Sequence, residues 1–152
     1  MTPQVYGRHV EAQLAEHYRW GHQRGSGNRW YHPGDTWNQR YQMEVKTFTK
    51  PVMRLNLVKV WGKIAQEAQH VGREPLIVVA QNVDEVWGVH PVWDLPRKVP
   101  FQFVRGFRAW NVAPYCDNQS HVVYWEGEIP PRFPLIWMVQ PLEEVEDIVD
   151  GH

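Results

Sequence analysis

The sequence predicts an α/β domain: a central mixed β-sheet flanked by helices, followed by a β-rich C-terminal extension. Three observations predict it. Two segments repeat apolar residues at helical spacing, Arg40 to Phe48 alternates apolar with polar residues, and Pro75-Leu76-Ile77-Val78-Val79-Ala80 is an unbroken apolar run. Such a run suits a central strand buried on both faces. The order helix, strands, helix, strand, strand implies a helix packed on each side of the sheet.

Thr2-Pro3 reads as an N-cap followed by proline at the first helical position. Val10, Leu14 and Tyr18 continue at helical spacing and Gly21 reads as the stop, giving a helix over about residues 3–19. Glu11 sits beside that apolar stripe. Residues 24–34, with three glycines and a proline, read as a loop, and Asp35 to Asn38 as a short strand. In the next strand Tyr41, Met43 and Val45 share one face, and Gln42, Glu44 and Lys46 the other. Leu55, Val58, Trp61 or Gly62, and Ala65 suggest a second helix ending near Val71-Gly72. Val83 to His90 supplies the strand after the apolar run.

Beyond Pro91, eight prolines counted from that position break the chain repeatedly. Phe101–Phe103, His121–Trp125 and Leu135–Val139 read as short strands, and Leu142–Val149 as a terminal acidic helix. The expected organisation is a core over residues 1–92 and an extension over residues 93–152 packed on the same domain.

Composition sets limits on function. The 152 residues suffice for one hydrophobic core. A single cysteine, Cys116, allows no intramolecular disulfide and no Cys-based zinc site, and reads as a passive thiol. The eight histidines show no His-x-x-x-His pair. No stretch approaches a membrane span, and Met1 to Val5 lacks the basic-then-apolar pattern of a signal peptide, so a cytoplasmic protein with no membrane partner is expected. The net charge of −1 is unevenly spread. Residues 1–112 hold 15 of the 16 Lys and Arg but 9 of the 17 Asp and Glu, a balance of +6. A basic body attracts polyanions.

Chemistry concentrates around Pro33-Gly34-Asp35 and Glu44-Val45-Lys46. Glu44 and Lys46, two apart on a strand, project from one face. Asp35 on a neighbouring strand would join them, and Glu11 is placed to complete the set. Oxygen ligands of this kind suit Mg²⁺ or Mn²⁺, which can polarise a phosphodiester and activate a water. Lys46 could orient that water or stabilise charge on the phosphorus oxygens. An exposed ion pair on an edge strand is the bland alternative.

This order (helical Glu, Gly/Ser loop, Asp, Glu-x-Lys strand, helix, apolar strand) resembles the PD-(D/E)XK nuclease superfamily. Within it, the segment Val71 to Val79 is similar to the archaeal-type Holliday junction resolvases and related phage enzymes. The resemblance covers about residues 5–90 and implies a restriction-endonuclease-like core. It implies metal binding by Glu11, Asp35 and Glu44, with the Val45 carbonyl as a further ligand, and a catalytic role for Lys46. Ser26 resembles a serine that assists cleavage in some of these resolvases. Resolvases of this type often carry Arg directly after the helical Glu; here Ala12 stands there, and Arg8, one turn earlier, is the candidate substitute. The resemblance also implies a homodimer acting on four-way DNA junctions.

Around this set, Arg24, Arg29, Trp30, Tyr31 and His32 read either as phosphate and base contacts or as a loop anchored by its aromatics. Lys50, Arg54, Lys59 and Lys63 continue a basic series into the second helix. Arg105 and Arg108, with Phe101, Phe103, Phe107 and Trp110, read either as more binding surface or as part of a small β subdomain. A restriction-like, nicking or mismatch-repair nuclease on the same core, and a non-catalytic module for single strands, are the competing readings.

Overall fold

The computed structural model describes residues 2–22, 36–49, 51–94 and 98–150. The first helix, α1 (Pro3–Tyr18), begins where expected: the Thr2 side chain accepts a hydrogen bond from the Val5 amide. It ends differently. Arg19, not Gly21, takes the left-handed cap conformation, with φ 62°, and Gly21–His22 form a short strand, β1.

β2 (Thr36–Trp37) and β3 (Tyr41–Thr47) follow as an antiparallel pair. After β4 (Arg54–Leu55), Asn56 caps α2 (Leu57–Val71) by accepting from the Lys59 amide, and Gly72, at φ 72°, closes it. The buried stripe of α2 is Leu57, Val60, Ile64 and Ala68, rotated from the expected one. Both stripes have helical spacing. The one carrying the larger aliphatic side chains at its core positions faces inward, because burial of each contributes about 1.5–3 kcal/mol.

β5 (Glu74–Asn82) runs parallel to β3, with α2 as the crossover, and β6 (Glu85–Pro91) returns antiparallel. The later segments form β7 (Phe101–Val104), β8 (Trp110–Asn111), β9 (His121–Trp125) and β10 (Ile136–Pro141). One mixed sheet of eight strands results, in the order β1-β2-β3-β5-β6-β10-β9-β7, and β4 pairs with β8 separately. β10 lies between β6 and β9, so residues beyond 92 extend the same sheet.

Each face of the sheet has its own core. On one, α2 packs with Ile77, Val79, Trp110, Trp125, Phe133 and Trp137. On the other, α1 packs with Met43, Leu76, Val78, Leu142, Val145 and Ile148. Five of the described tryptophans, Trp20, Trp87, Trp110, Trp125 and Trp137, are core residues.

The expected terminal helix over Leu142–Val149 does not form. Leu142–Glu144 make one 3₁₀ turn, and an extended strap follows, with Asp147 at φ 58°. The strap is held by tertiary hydrogen bonds. Trp20 Nε1 donates to the Ile148 carbonyl at 2.6 Å, the Tyr41 hydroxyl to the Glu146 carbonyl at 2.8 Å, and Asn38 Nδ2 to the Asp147 carbonyl at 2.8 Å. Leu142, Val145 and Ile148 still recur every third residue, and all three are buried against α1 and β3.

Candidate active site

β3 places Glu44 and Lys46 on one face. The register with β5 pairs Glu44 with Ile77 and Lys46 with Val79, both members of the core beneath α2. Glu44 is 2% exposed, and each of its carboxylate oxygens meets a lysine: Lys46 Nζ is 3.1 Å from Oε1, and Lys63 Nζ is 3.5 Å from Oε2. Lys63 comes from α2, one turn beyond Lys59. Two such partners offset the cost of placing a carboxylate this far from water. The two ammonium groups remain partly hydrated, at 41% and 43% side-chain exposure.

Glu44, Lys46 and Lys63 line a cavity of about 400 Å³ together with Thr47, Phe48, Arg54, Asn56, Lys59 and Val60. Its charged lining is one carboxylate against Lys46, Arg54, Lys59 and Lys63, so the cavity suits an anion. Arg54 is steadied by donating Nη1 to the Ala109 carbonyl at 3.2 Å. A second cavity, of about 370 Å³, shares Lys63 and continues along α2 past Gln42, Gln66 and His70.

Glu11 is buried too, at 6% exposure, but does not line this cavity. The Thr36 hydroxyl donates to its Oε1 at 2.6 Å, and His22 Nδ1 lies 3.5 Å from the same oxygen. Thr36 pairs with Met43, which packs with Val10 and Leu14 on the α1 face. The structure therefore brings Glu44, Lys46, Arg54 and Lys59 to one cavity and sets Glu11 on the opposite face of the sheet. Val45 faces the α1 side, paired with Val78, and Arg8 is exposed on α1. Ser26, Asp35, Arg24, Arg29, Trp30, His32 and Lys50 lie outside the described residues.

Three contacts were not legible in the sequence. The i,i+4 spacing of Lys59 and Lys63 signalled a shared basic face, but the pairing of Lys63 with Glu44 joins residues 19 apart. The Thr36 and His22 contacts of Glu11 likewise depend on β1 and β2 being neighbours.

Phe107 and Trp110 are core residues, whereas Phe101 and Phe103 are exposed. His90 is buried and stacked on Trp93, with ring centroids 3.9 Å apart. Burial lowers its pKa to about 4, against the raising effect of its bond to the Pro91 carbonyl, and Arg40 lowers it further. The neutral ring donates Nδ1–H to that carbonyl at 2.7 Å and accepts from Gln140 at Nε2, 3.0 Å away. Burial also pushes the Cys116 thiol up to about 12, with Asp117 adding to the effect, in keeping with a passive thiol.

Among the described residues, no group of three or more His, Cys, Asp or Glu could hold a metal ion, and no helix is long and apolar enough to cross a membrane. No family model matches the chain, and no curated protein or solved structure matches it, so its own geometry carries the functional argument.

Proposed function

We propose that the protein is a metal-dependent endodeoxyribonuclease that resolves four-way DNA junctions by phosphodiester hydrolysis, acting as a homodimer. The supporting observation is the buried Glu44, held by Lys46 and Lys63, at the wall of a cavity whose other charged groups are cationic. A phosphodiester entering the cavity meets Arg54 and Lys59 as anchors. Lys46 and Lys63 are then placed to offset the negative charge that builds on the phosphorus oxygens as water adds and the leaving oxygen departs. The mixed sheet with a helix on each face, in the order α1, β1, β2, β3, β4, α2, β5, supports this reading.

Glu44 is the one carboxylate among the described residues lining the cavity, which alone falls short of a Mg²⁺ ligand set. The metal part of the proposal therefore stands on Asp35, the residue before Thr36, whose partner Met43 precedes Glu44. When bound, Mg²⁺ or Mn²⁺ would supply a polarised phosphate and a more acidic water. Glu11 accepts from Thr36 at the start of β2. Two-fold pairing of protomers would present two such cavities to the two strands that a junction requires cut.

Cleavage of a synthetic four-way junction beside linear duplex, with Mg²⁺ and with EDTA, tests this. Paired symmetric nicks near the branch, lost in EDTA and in Lys46→Ala and Asp35→Asn, are expected. Equal cutting of linear duplex would replace the resolvase by a restriction-like or nicking enzyme. Full activity in folded Asp35→Asn would sink the assignment, and tight binding without any cutting would leave a nucleic-acid-binding module.

A further inference from the structure

β7 is one of the two outer strands of the sheet, and its two phenylalanines face water: Phe101 and Phe103 are each 60% exposed. Alternate side chains of a strand share a face, so these two form a row, and the register sets Tyr124 of β9 beside Phe103. The three rings touch. Centroids are 6.1 Å apart between the phenylalanines, and 5.6 and 5.4 Å from each to Tyr124. The other face of the strand is already satisfied, since Val104 packs on the core that holds Trp125 and Phe133. Phe101 and Phe103 add nothing to that core. Large apolar groups clustered in water mark a contact surface.

Charge indicates what makes the contact. Residues 93–112 carry Arg97, Lys98, Arg105 and Arg108 against Asp94 alone. Exposed Lys98 precedes β7 and Arg105 follows it directly. Alternation carried one step past the strand gives Arg105 the same side as the phenylalanines, where its Nε lies 3.5 Å from Glu126 with the Arg105 side chain still 80% exposed. A row of aromatic rings with cations at both ends matches a nucleic-acid single strand, whose bases stack and whose phosphates need positive charge.

We propose that Phe101, Phe103 and Tyr124 form a stacking platform for unpaired bases of single-stranded DNA, with Lys98 and Arg105 engaging its phosphates. The platform is remote from the Glu44 cavity. The pairs Phe101–Val122, Val122–Met138 and Met138–His90 run across the sheet on the face where Gly88 meets Val78, the α1 face. Five strand spacings separate β7 from β3, about 24 Å. The proposal deepens the nuclease reading by naming the form of DNA engaged, and rests on that reading for the choice of DNA over RNA.

Fluorescence anisotropy with a labelled oligothymidine of about 20 nucleotides, in EDTA, tests the platform without cleavage. Phe101→Ala/Phe103→Ala is expected to weaken binding about ten- to hundredfold, the stacking of one or two bases. Phe101→Tyr/Phe103→Tyr should retain affinity, and an abasic strand of equal length should bind wild type weakly. If the alanine pair does not fold, Phe101→Leu/Phe103→Leu keeps apolar bulk while removing the rings. Unchanged oligothymidine binding in the folded ring-less variant overturns the proposal, as does equal affinity of wild type for the abasic strand. So does sedimentation showing that the variant loses self-association while keeping its affinity, which would make the face a contact between copies. Lys46→Ala separates the two readings: it should lose junction cleavage and keep oligothymidine binding. Ring-dependent binding by a wild-type protein that cuts no junction would fail the nuclease reading alone.

Discussion

Lys63 Nζ on α2 lies 3.5 Å from Glu44 Oε2 on β3, while Lys46 Nζ takes the other oxygen at 3.1 Å. The two lysines reach the carboxylate from different elements, so helix and strand are held to one charge. If both cations stabilise the transition state, their loss should be graded. Lys46→Ala is expected to slow single-turnover junction cleavage by roughly 10²- to 10³-fold and Lys63→Ala by about tenfold. Wild-type rates in a folded Lys63→Ala would remove Lys63 from the reaction and leave it a purely structural partner.

Gly88 sits where β6 passes beneath the C-terminal strap. A Cβ there would come within 2.8 Å of Val145 Cγ2 and 3.7 Å of Leu142 Cδ1. Gly88→Ala should therefore displace the strap and destabilise the protein by about 1–3 kcal/mol, the usual cost of overpacking. Pairing it with Val145→Ala removes the obstructing methyl, so part of the loss should return in a double-mutant cycle of denaturant midpoints. Strictly additive losses would mean that the two positions do not meet.

The strap itself should carry much of the stability of the α1 layer. Leu142 is fully buried among α1-side residues. Leu142→Ala is expected to cost about 2–5 kcal/mol in urea unfolding, a large share of the roughly 5–15 kcal/mol typical of a domain. A loss under about 1 kcal/mol would show the strap to be a loose covering.

His90 makes stability depend on pH. Its folded pKa, about 4, lies below the ordinary 6.5, chiefly through burial. The unfolded chain thus takes up the proton first as pH falls. The contribution of neutral His90 is complete above about pH 6.5 and is lost progressively toward pH 4. Over that window wild type should lose a few kcal/mol more than His90→Gln, read as the difference between their thermal midpoints at each pH. Parallel midpoint curves would show that His90 is not the titrating group.

Local signals were legible in the sequence where local chemistry decides the outcome. Thr2 and Asn56 each cap a helix through their own side chains, and Gly72 supplies a left-handed stop. The run Leu76–Ala80 became a fully buried strand because the α1 and α2 cores cover its two faces. The expected helix over Leu142–Val149 did not form, and the repeat of Leu142, Val145 and Ile148 serves a helix or a strap equally. What decided was distant: Trp20, Asn38 and Tyr41 donate to the carbonyls of Ile148, Asp147 and Glu146 and hold the segment extended. In the site, Glu44 and Lys46 were legible because a strand sets their shared face. Lys63 and the place of Glu11 on the α1 side were not, because both depend on which strands and helices become neighbours.

The place of β10 constrains how the chain can be made. β6 has β5 on one side and β10 on the other, and β10 also carries β9 and, through it, β7. During synthesis the N-terminal half emerges with β6 as an open apolar edge, the kind of edge that recruits strands from other chains. No ribosome can close that edge before residues 136–141 have left its exit tunnel. Assembly of the sheet is thereby deferred until those residues are available, so a chain stopped short of them should be a ready target for chaperones and proteases.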